Sequence, residues 1–356
     1  MTSRASIEAA LRSGRPLEGT NLDGLDLSGL DFAGMSLDRC SMKQTNLSGA
    51  RLSEATVMRC DLSGAILRGA ICRKTTFMRC EAPGAVFSEA NLDRAKFLES
   101  KLPAADFSKA QAPNTAWTQS VLSRSSFDDA NLEHATFTAT DFTEVSFRGA
   151  NAERVTFFRS DLTTAGIELA KLPRAILFEA KVGAKSFKGK DLKLAQIMDC
   201  DLAGSDFEGA ELAQVNFKGC NLAGAIFKGA NLRNALFPET KLDLAVFDGA
   251  RLDQAILTDL SAEKASFAGA KLELSIWHRA KCVGARFNDA DMTYADMSNA
   301  DISGSDFTGA KMFRTRLHAT KQDGAIFGVS KRTALGDDEE QLEAETWWEN
   351  HSSKQK

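Results

Sequence analysis

Histidine is scarce in this chain and never clusters. Its 356 residues hold four, His134, His278, His318 and His351, none beside a cysteine or a second histidine at ligand spacing, which argues against a metal centre. A phosphate loop is missing as well. The nearest approach, "GAKSFKGK" from Gly183 to Lys190, has five residues between its glycines rather than four, and Asp191 where Ser or Thr is required. Nothing assembles a nucleophile, a base and an orienting group, so no catalytic residue and no cofactor is expected, and the chain is read as a non-enzyme. Charge of one sign is lacking too. Acidic residues number 48 and basic residues 44, a net charge of −4, and the acidic excess lies at the ends, so most of the chain is near neutral. No apolar run approaches the roughly 20 residues of a membrane span, and "MTSRASIEAALRSG" has no signal-peptide core. The expected location is the cytoplasm, without membrane contact.

What the chain does have is a period of five. In "CNLAGAIFKGANLRNALF", Cys220 to Phe237, large apolar residues return at Leu222, Phe227, Leu232 and Phe237. A five-residue step advances an α-helix by about 500°, which scatters such residues around the cylinder. Odd spacing in a flat strand would expose every second one. Five is therefore the length of a structural unit. The register runs from Leu17 to Phe327 without an insertion or deletion, with Gln322 the one clear polar exception at a central position. Two residues before each central residue sits a small one, as at Ala50, Ala90, Ala150, Ala230, Ala250 and Ala310. Central positions 87, 107, 127 and onward at twenty-residue steps are Phe apart from Ile167, whereas Leu dominates 202, 222, 242 and 212, 232, 252. A four-sided coil of twenty residues would thus have two Phe-rich and two Leu-rich faces.

The triplets Ala90-Asn91-Leu92, Ala130-Asn131-Leu132 and Ala290-Asp291-Met292 carry a resemblance to the pentapeptide-repeat family, whose loose pattern is A-(D/N)-L-X-X. The resemblance spans most of the chain. It implies an all-β fold, a right-handed four-sided parallel β-helix in which each pentad forms one side. At roughly 4.8 Å per coil, about fifteen to sixteen coils would make a rod of about 75 Å. The expected organisation is an N-terminal helical cap over residues 1–14, the β-helix over 15–330 and an acidic C-terminal cap or tail over 331–356, with short helices at both ends. In the tail, "DDEEQLEAETWWE" opens with acids suited to a helix N-terminus and finishes with Trp347 and Trp348. An open solenoid end must be covered, and one of these tryptophans is expected to plug it while its neighbour faces a partner or a second copy.

All seven cysteines fall on inward positions, Cys40, Cys60, Cys80, Cys200 and Cys220 at the small site and Cys72 and Cys282 at the central one. They read as small apolar substitutes in a tight core, and an odd number of buried thiols suits a reducing compartment. Prolines 83, 103, 113, 173 and 238 all follow a central residue and read as structural. Glycines at the last pentad position, such as Gly24, Gly64 and Gly229, mark corners. Lys185 and Lys190 occupy two consecutive small inward sites. Burying two ammonium groups is too costly, so the coil should open, bulge or turn them outward there, as a local distortion or a hinge.

On the surface, one column breaks the pattern. The position after the central residue on one face runs Met58, Met78, Leu98, Thr118, Thr138, Phe158, Phe178, Met198, with Arg39, Arg59 and Arg79 along one edge. A partly apolar strip rimmed by charge reads as an interface. The expected function is a protein-binding scaffold or adaptor, and a homodimer through a rod end or the tail is one arrangement it allows. The tail and the loop-free repeats also resemble pentapeptide-repeat proteins associated with bacterial type VI secretion, which implies an accessory or effector-loading role. Other members of the family resemble duplex DNA and bind DNA gyrase and related type II topoisomerases. That alternative needs a continuous acidic track, whereas Lys101, Lys171, Lys241, Arg251, Lys271, Lys281 and Lys311 interrupt the acids here. Direct binding of nucleic acid is disfavoured by the net charge and by the lack of a basic stripe.

Overall fold

The computed structural model describes residues 2–352, and the backbone alone for 349–352. Of the tail expected over 331–356, residues 353–356 lie outside the described residues, as does the side chain of His351. The chain divides into two compact units, Met1–Gly183 and Ala184–Lys356. Each is a parallel β-solenoid, and the fold amounts to about 16 turns with a short helix near either end.

The register is set by backbone pairing between coils. In the first unit Leu17 lies over Leu37, Val57 over Phe77 and Phe157 over Leu177, always twenty residues apart. Three-residue strands form on one face only, from Ser36–Asp38 to Ile176–Phe178. The other three faces meet through single bridges such as Asn21 to Ser41, Asp26 to Asn46 and Asp31 to Arg51. Each side supplies one donor upward and one downward. The Leu22 N–H donates to the Ser41 carbonyl at 2.7 Å, and the Ser41 N–H donates back to Thr20 at 3.0 Å. A side this short satisfies its backbone polar groups only through the neighbouring coils.

Turning a corner every five residues requires a left-handed backbone. Glycine supplies it at Gly229 (φ 64°), but Arg59 (φ 52°), Leu244 (φ 61°) and Tyr294 (φ 59°) adopt it as well. An L-residue held this way costs about 1–2 kcal/mol, and the ladder on either side imposes the conformation regardless of residue type. At Gly309 a Cβ would come within 2.1 Å of an Asp289 carboxylate oxygen, so any larger residue there would have to displace that side chain.

Inside, the alternation of aromatic and aliphatic faces becomes two interlocked ladders. Phe77, Phe97, Trp117, Phe137 and Phe157 stack in one column, with Phe97 and Trp117 3.9 Å apart and 2° from parallel. Phe87, Phe107, Phe127 and Phe147 stack on the opposite face and meet the first column edge-on, as Phe107 meets Trp117 at 5.2 Å. A second Phe ladder runs from Phe187 to Phe327 within the other unit. Edge-to-face contacts add about 0.5–1.5 kcal/mol beyond burial. Where Ser or Thr replaces Ala at the small inward site, its hydroxyl donates to a carbonyl of the preceding coil, as Thr45 does to Leu22 and Ser305 to Cys282, or of its own coil, as Thr115 does to Ala112 and Ser275 to Leu272. The two buried indoles are also satisfied, Trp117 donating to Thr115 Oγ1 at 3.0 Å and Trp277 to Ser275 Oγ at 2.8 Å.

The helix α1 (Arg4–Arg12) covers the first coil. Ser3 and Ser6 form a reciprocal cap, Ile7 is buried, and the Arg4 guanidinium donates to the carbonyls of Asp26 and Ser28. The C-terminal end is closed differently from the expectation placed on the tryptophans. Gln322 donates to Thr320 and accepts from the Lys331 ammonium at 2.9 Å, and that ammonium sits 3.8 Å from the centre of the Phe327 ring. A polar amide and a cation thus lie over the last coil. The helix α2 (Glu339–Ser352) lies beside the second unit instead, on the outer side of the column that contains His318. Lys185 and Lys190 are half-buried, in a coil that has lost its regular turn at residues 183–184. Their carbonyls still accept from Asp206 and Glu211, so the backbone keeps register where the side chains are not enclosed.

Two outcomes check this core. Thr115→Val deletes the acceptor of the Trp117 indole in nearly the same volume, and it should cost about 1–3 kcal/mol, the price of an orphaned buried donor, read as a lowered urea midpoint. Adding Trp117→Phe removes the orphan and should recover part of that loss. Burial also holds the thiols of Cys72 and Cys80 protonated, pushing their pKa values up to about 12 and about 11. A thiol reagent at pH 8 should therefore label these cysteines only after denaturant is added, and rapid labelling of the native protein would contradict the packing.

Candidate partner-binding surface

Strand alternation places every second residue of the strand face outside. In the first unit the residues just after the buried central one are Met58, Met78, Leu98, Thr118, Thr138, Phe158 and Phe178, in register over one another. All seven are half-buried, each with a column neighbour one coil away. Phe158 and Phe178 stack outside the core with ring centres 5.6 Å apart and planes 5° from parallel. Met198, counted in the same column, belongs to the second unit and is half-buried there.

The edge read as basic is neutralised. Arg59 forms a bidentate pair with Asp38 at 2.7 and 2.9 Å, Arg39 contacts Glu18 and Asp38, and Arg79 pairs with Glu99 at 2.9 Å. The Glu99 carboxylate raises the Arg79 guanidinium above its ordinary pKa, and Glu179 does the same for Arg159. Arg159 also covers the Phe158 ring at 4.7 Å. Opposite charges stacked on successive coils are the solenoid's counterpart of cross-strand pairs. The strip is thus partly apolar, interrupted by Thr118 and Thr138, and bordered by closed ion pairs rather than by bare cations.

Trp347 and Trp348 are elsewhere, on α2, and are 59% and 66% exposed. Their helix is held to the second unit through polar contacts. The Asp338 N–H donates to Nδ1 of the fully buried His318, whose Nε2 faces Glu345 at 3.2 Å, and Asp337 accepts from the Ala319 N–H at 2.7 Å. Hydrogen bonds from Gln341 and His318 lower the Glu345 pKa. Trp348 borders a shallow recess with Arg279 and Asn299.

One cluster escaped the sequence reading. The corner column Gln214, Asn234, Gln254 continues as Leu274, Tyr294 and Arg314, all with left-handed backbone. Tyr294, the chain's single tyrosine, is 45% exposed and meets the 51%-exposed Phe313 edge-on at 5.7 Å. Arg314 lies 6.0 Å from the Tyr294 ring centre. The available signal was Leu274 and Tyr294, large apolar residues at corner positions that are mostly polar or glycine.

Among the described residues no group of three His, Cys, Asp or Glu is placed to hold a metal ion, and no helix is long and apolar enough to cross a membrane. Comparison with known proteins bears on the repeats. No curated protein matches the chain. Among solved structures, full-length QnrB1, a plasmid-mediated fluoroquinolone resistance protein, is 23% identical over 45% of this chain and 84% of its own, with a TM-score of 0.33. HetL, a pentapeptide repeat protein involved in heterocyst differentiation regulation from the cyanobacterium Nostoc sp. strain PCC 7120, is 19% identical over 93% of this chain and 99% of its own, with a TM-score of 0.15. A pentapeptide repeat protein of the Arabidopsis thaliana thylakoid lumen is 30% identical over 38% and 69%, with a TM-score of 0.14. The model for pentapeptide repeats matches eight times, over residues 17–53, 45–81, 58–92, 84–115, 100–138, 125–163, 200–237 and 278–318. These copies take in more than half of the sequence, and the chain belongs to the pentapeptide-repeat family.

Proposed function

We propose that this protein is a non-enzymatic, protein-binding scaffold or adaptor of the cytoplasm, whose first unit engages a protein partner through the outer strand face. The observation that carries this reading is the apolar column Met58, Met78, Leu98, Phe158 and Phe178, in register on a continuous parallel sheet. Side chains repeated at roughly 4.8 Å on a stiff backbone offer a partner a preorganised surface, which spares much of the ordering cost of association. Phe158 and Phe178 are the anchors, since half-buried stacked rings outside the core combine large contact area with few rotamers. Arg39, Arg59 and Arg79 serve as the polar rim. An accessory role in type VI secretion is the finer version of this proposal.

A gyrase-directed DNA mimic is the competing reading, and rung-to-rung charge pairing weighs against it. Lys101 sits on Glu81, Lys188 on Glu208, Arg279 on Asp259 and Lys311 on Asp291, so acids on these ladders are neutralised at short range instead of forming a phosphate-like track.

The double change Phe158→Ser and Phe178→Ser should leave the protein folded, with a melting midpoint within a few degrees of the parent, while reducing recovery of its partner by affinity capture by more than tenfold. Loss of folding would show that the rings belong to the core, and unchanged capture would place the interface elsewhere. A supercoiling assay on the same samples separates the two readings: dose-dependent inhibition of gyrase by the parent protein would favour DNA mimicry.

A further inference from the structure

The outer column just after the buried central residue recurs at the same pentad position in the second unit, and there the chain itself shows what can lie on it. His278, Ser298 and His318 hold that position, with the corner residues Arg279, Asn299 and Ala319 beside them. The helix α2 is seated on this part of the face. Asp337 accepts from the Ala319 N–H, the Asp338 N–H donates to Nδ1 of His318, and Glu345 faces Nε2 of the same ring. Gln341, Ala344, Glu345 and Trp348 border the recess formed with Arg279 and Asn299, and their spacing of three, four and seven residues makes a single helical stripe. Seat and stripe match in character, since a largely polar column receives Gln341 and Glu345. Ser298 and His318 are buried, whereas the seven residues at this position from Met58 to Phe178 are only half-buried.

Geometry favours the same kind of occupant on the first unit. Its strand face is three residues wide, from Thr56–Met58 to Ile176–Phe178, so whatever covers the strip must run along the stack and not along the strands. An extended chain laid that way repeats its side chains about every 6.7 Å, out of step with rungs about 4.8 Å apart. A helix repeats each turn at about 5.4 Å, and an inclination of about 27° brings its turns into step with the rungs.

We propose that the apolar strip takes an amphipathic helix of a protein partner, laid along the stack as α2 lies on its own part of the face. This rests on the strand-face reading above and specifies its occupant. Six rung spacings, about 29 Å, accommodate a helix of about 20 residues. The strip is apolar at both ends, with Met58, Met78 and Leu98 at one, Phe158 and Phe178 at the other, and Thr118 and Thr138 between them. The complementary helix therefore carries large apolar residues on one stripe near its two ends and small ones in the middle. Arg59, Arg79 and Arg159 are already paired with Asp38, Glu99 and Glu179, so the helix needs no net charge and its binding depends little on salt.

A probe of defined structure tests the occupant. It is a net-neutral peptide of about 20 residues, held helical by Glu–Lys pairs four apart, with leucines on one stripe near both ends and alanines between. A scrambled peptide of the same composition and an extended peptide of alternating Val and Thr serve as comparisons. With the full-length protein, fluorescence anisotropy should show the helical probe binding at least about tenfold more tightly than either comparison, at low and high salt alike. The Phe158→Ser, Phe178→Ser protein should bind it at least about tenfold more weakly. Replacing Leu98 or Thr138, two rungs apart, singly with p-benzoylphenylalanine gives the pose: crosslinks should fall about seven residues apart on a helix, against about three on an extended chain. Equal binding of the three peptides, preference for the extended one, or helical binding indifferent to the two Phe changes would overturn the helical occupant. If partner capture nevertheless still depends on Phe158 and Phe178, the strand-face reading stands; if neither assay depends on them, both fall.

Discussion

Everything in this molecule follows from a backbone that can satisfy itself only in the third dimension. A side of five residues makes too few hydrogen bonds of its own to persist, so each N–H and C=O must reach the coil above or below, as Leu22 reaches Ser41 and Ser41 reaches Thr20. Once that ladder is in place, position in the pentad decides fate. The central residue and the small one two before it are enclosed, the corner residue is forced into a left-handed conformation, and the rest face water. Local preference is overruled wherever it disagrees. Arg59, Leu244 and Tyr294 would not choose positive φ in isolation, and the regularity of their neighbours imposes it on them.

The same constraint turns a surface into a set of columns. A residue outside the core has as its nearest neighbours the residues twenty before and twenty after it, so chemistry accumulates by stacking. Opposite charges alternate along a column, as in Lys74 over Glu54 and Arg79 under Glu99. Runs of apolar side chains become strips, as the stacked Phe158 and Phe178 show. The proposed binding surface is such a strip rather than a pocket, which suits contact with another macromolecule better than enclosure of a small ligand.

That logic explains which parts were legible in the sequence. The period of five and the alternation of Phe and Leu faces are properties of single positions, and both appear in the structure as read: the Phe ladders stack where the twenty-residue step put them. The inward placement of all seven cysteines was equally legible. What escaped are relations between positions. Arg59 pairs with Asp38, 21 residues earlier, and nothing in the local "MRCD" of residues 58–61 announces that the cation is already neutralised. The return of α2 onto His318 depends on the chain reversing after Leu335, so a histidine that looked scattered is fully buried beneath the tail. The tryptophans were assigned to the open end because the end must be covered; the requirement was sound, but a smaller device meets it.

That device is Gln322, the one polar residue at a central position, roofed by Lys331 over Phe327. A repeat that templates its successor contains no instruction to stop, since every finished coil presents the surface on which another could grow. An amide and an ammonium over the last ring make the terminal surface unlike the ones beneath it, so that a further apolar coil, from this chain or another, finds no match. The length of the solenoid is therefore written at its boundary and not in its interior, and duplication or loss of twenty-residue blocks between the ends could lengthen or shorten the molecule while leaving its termination intact.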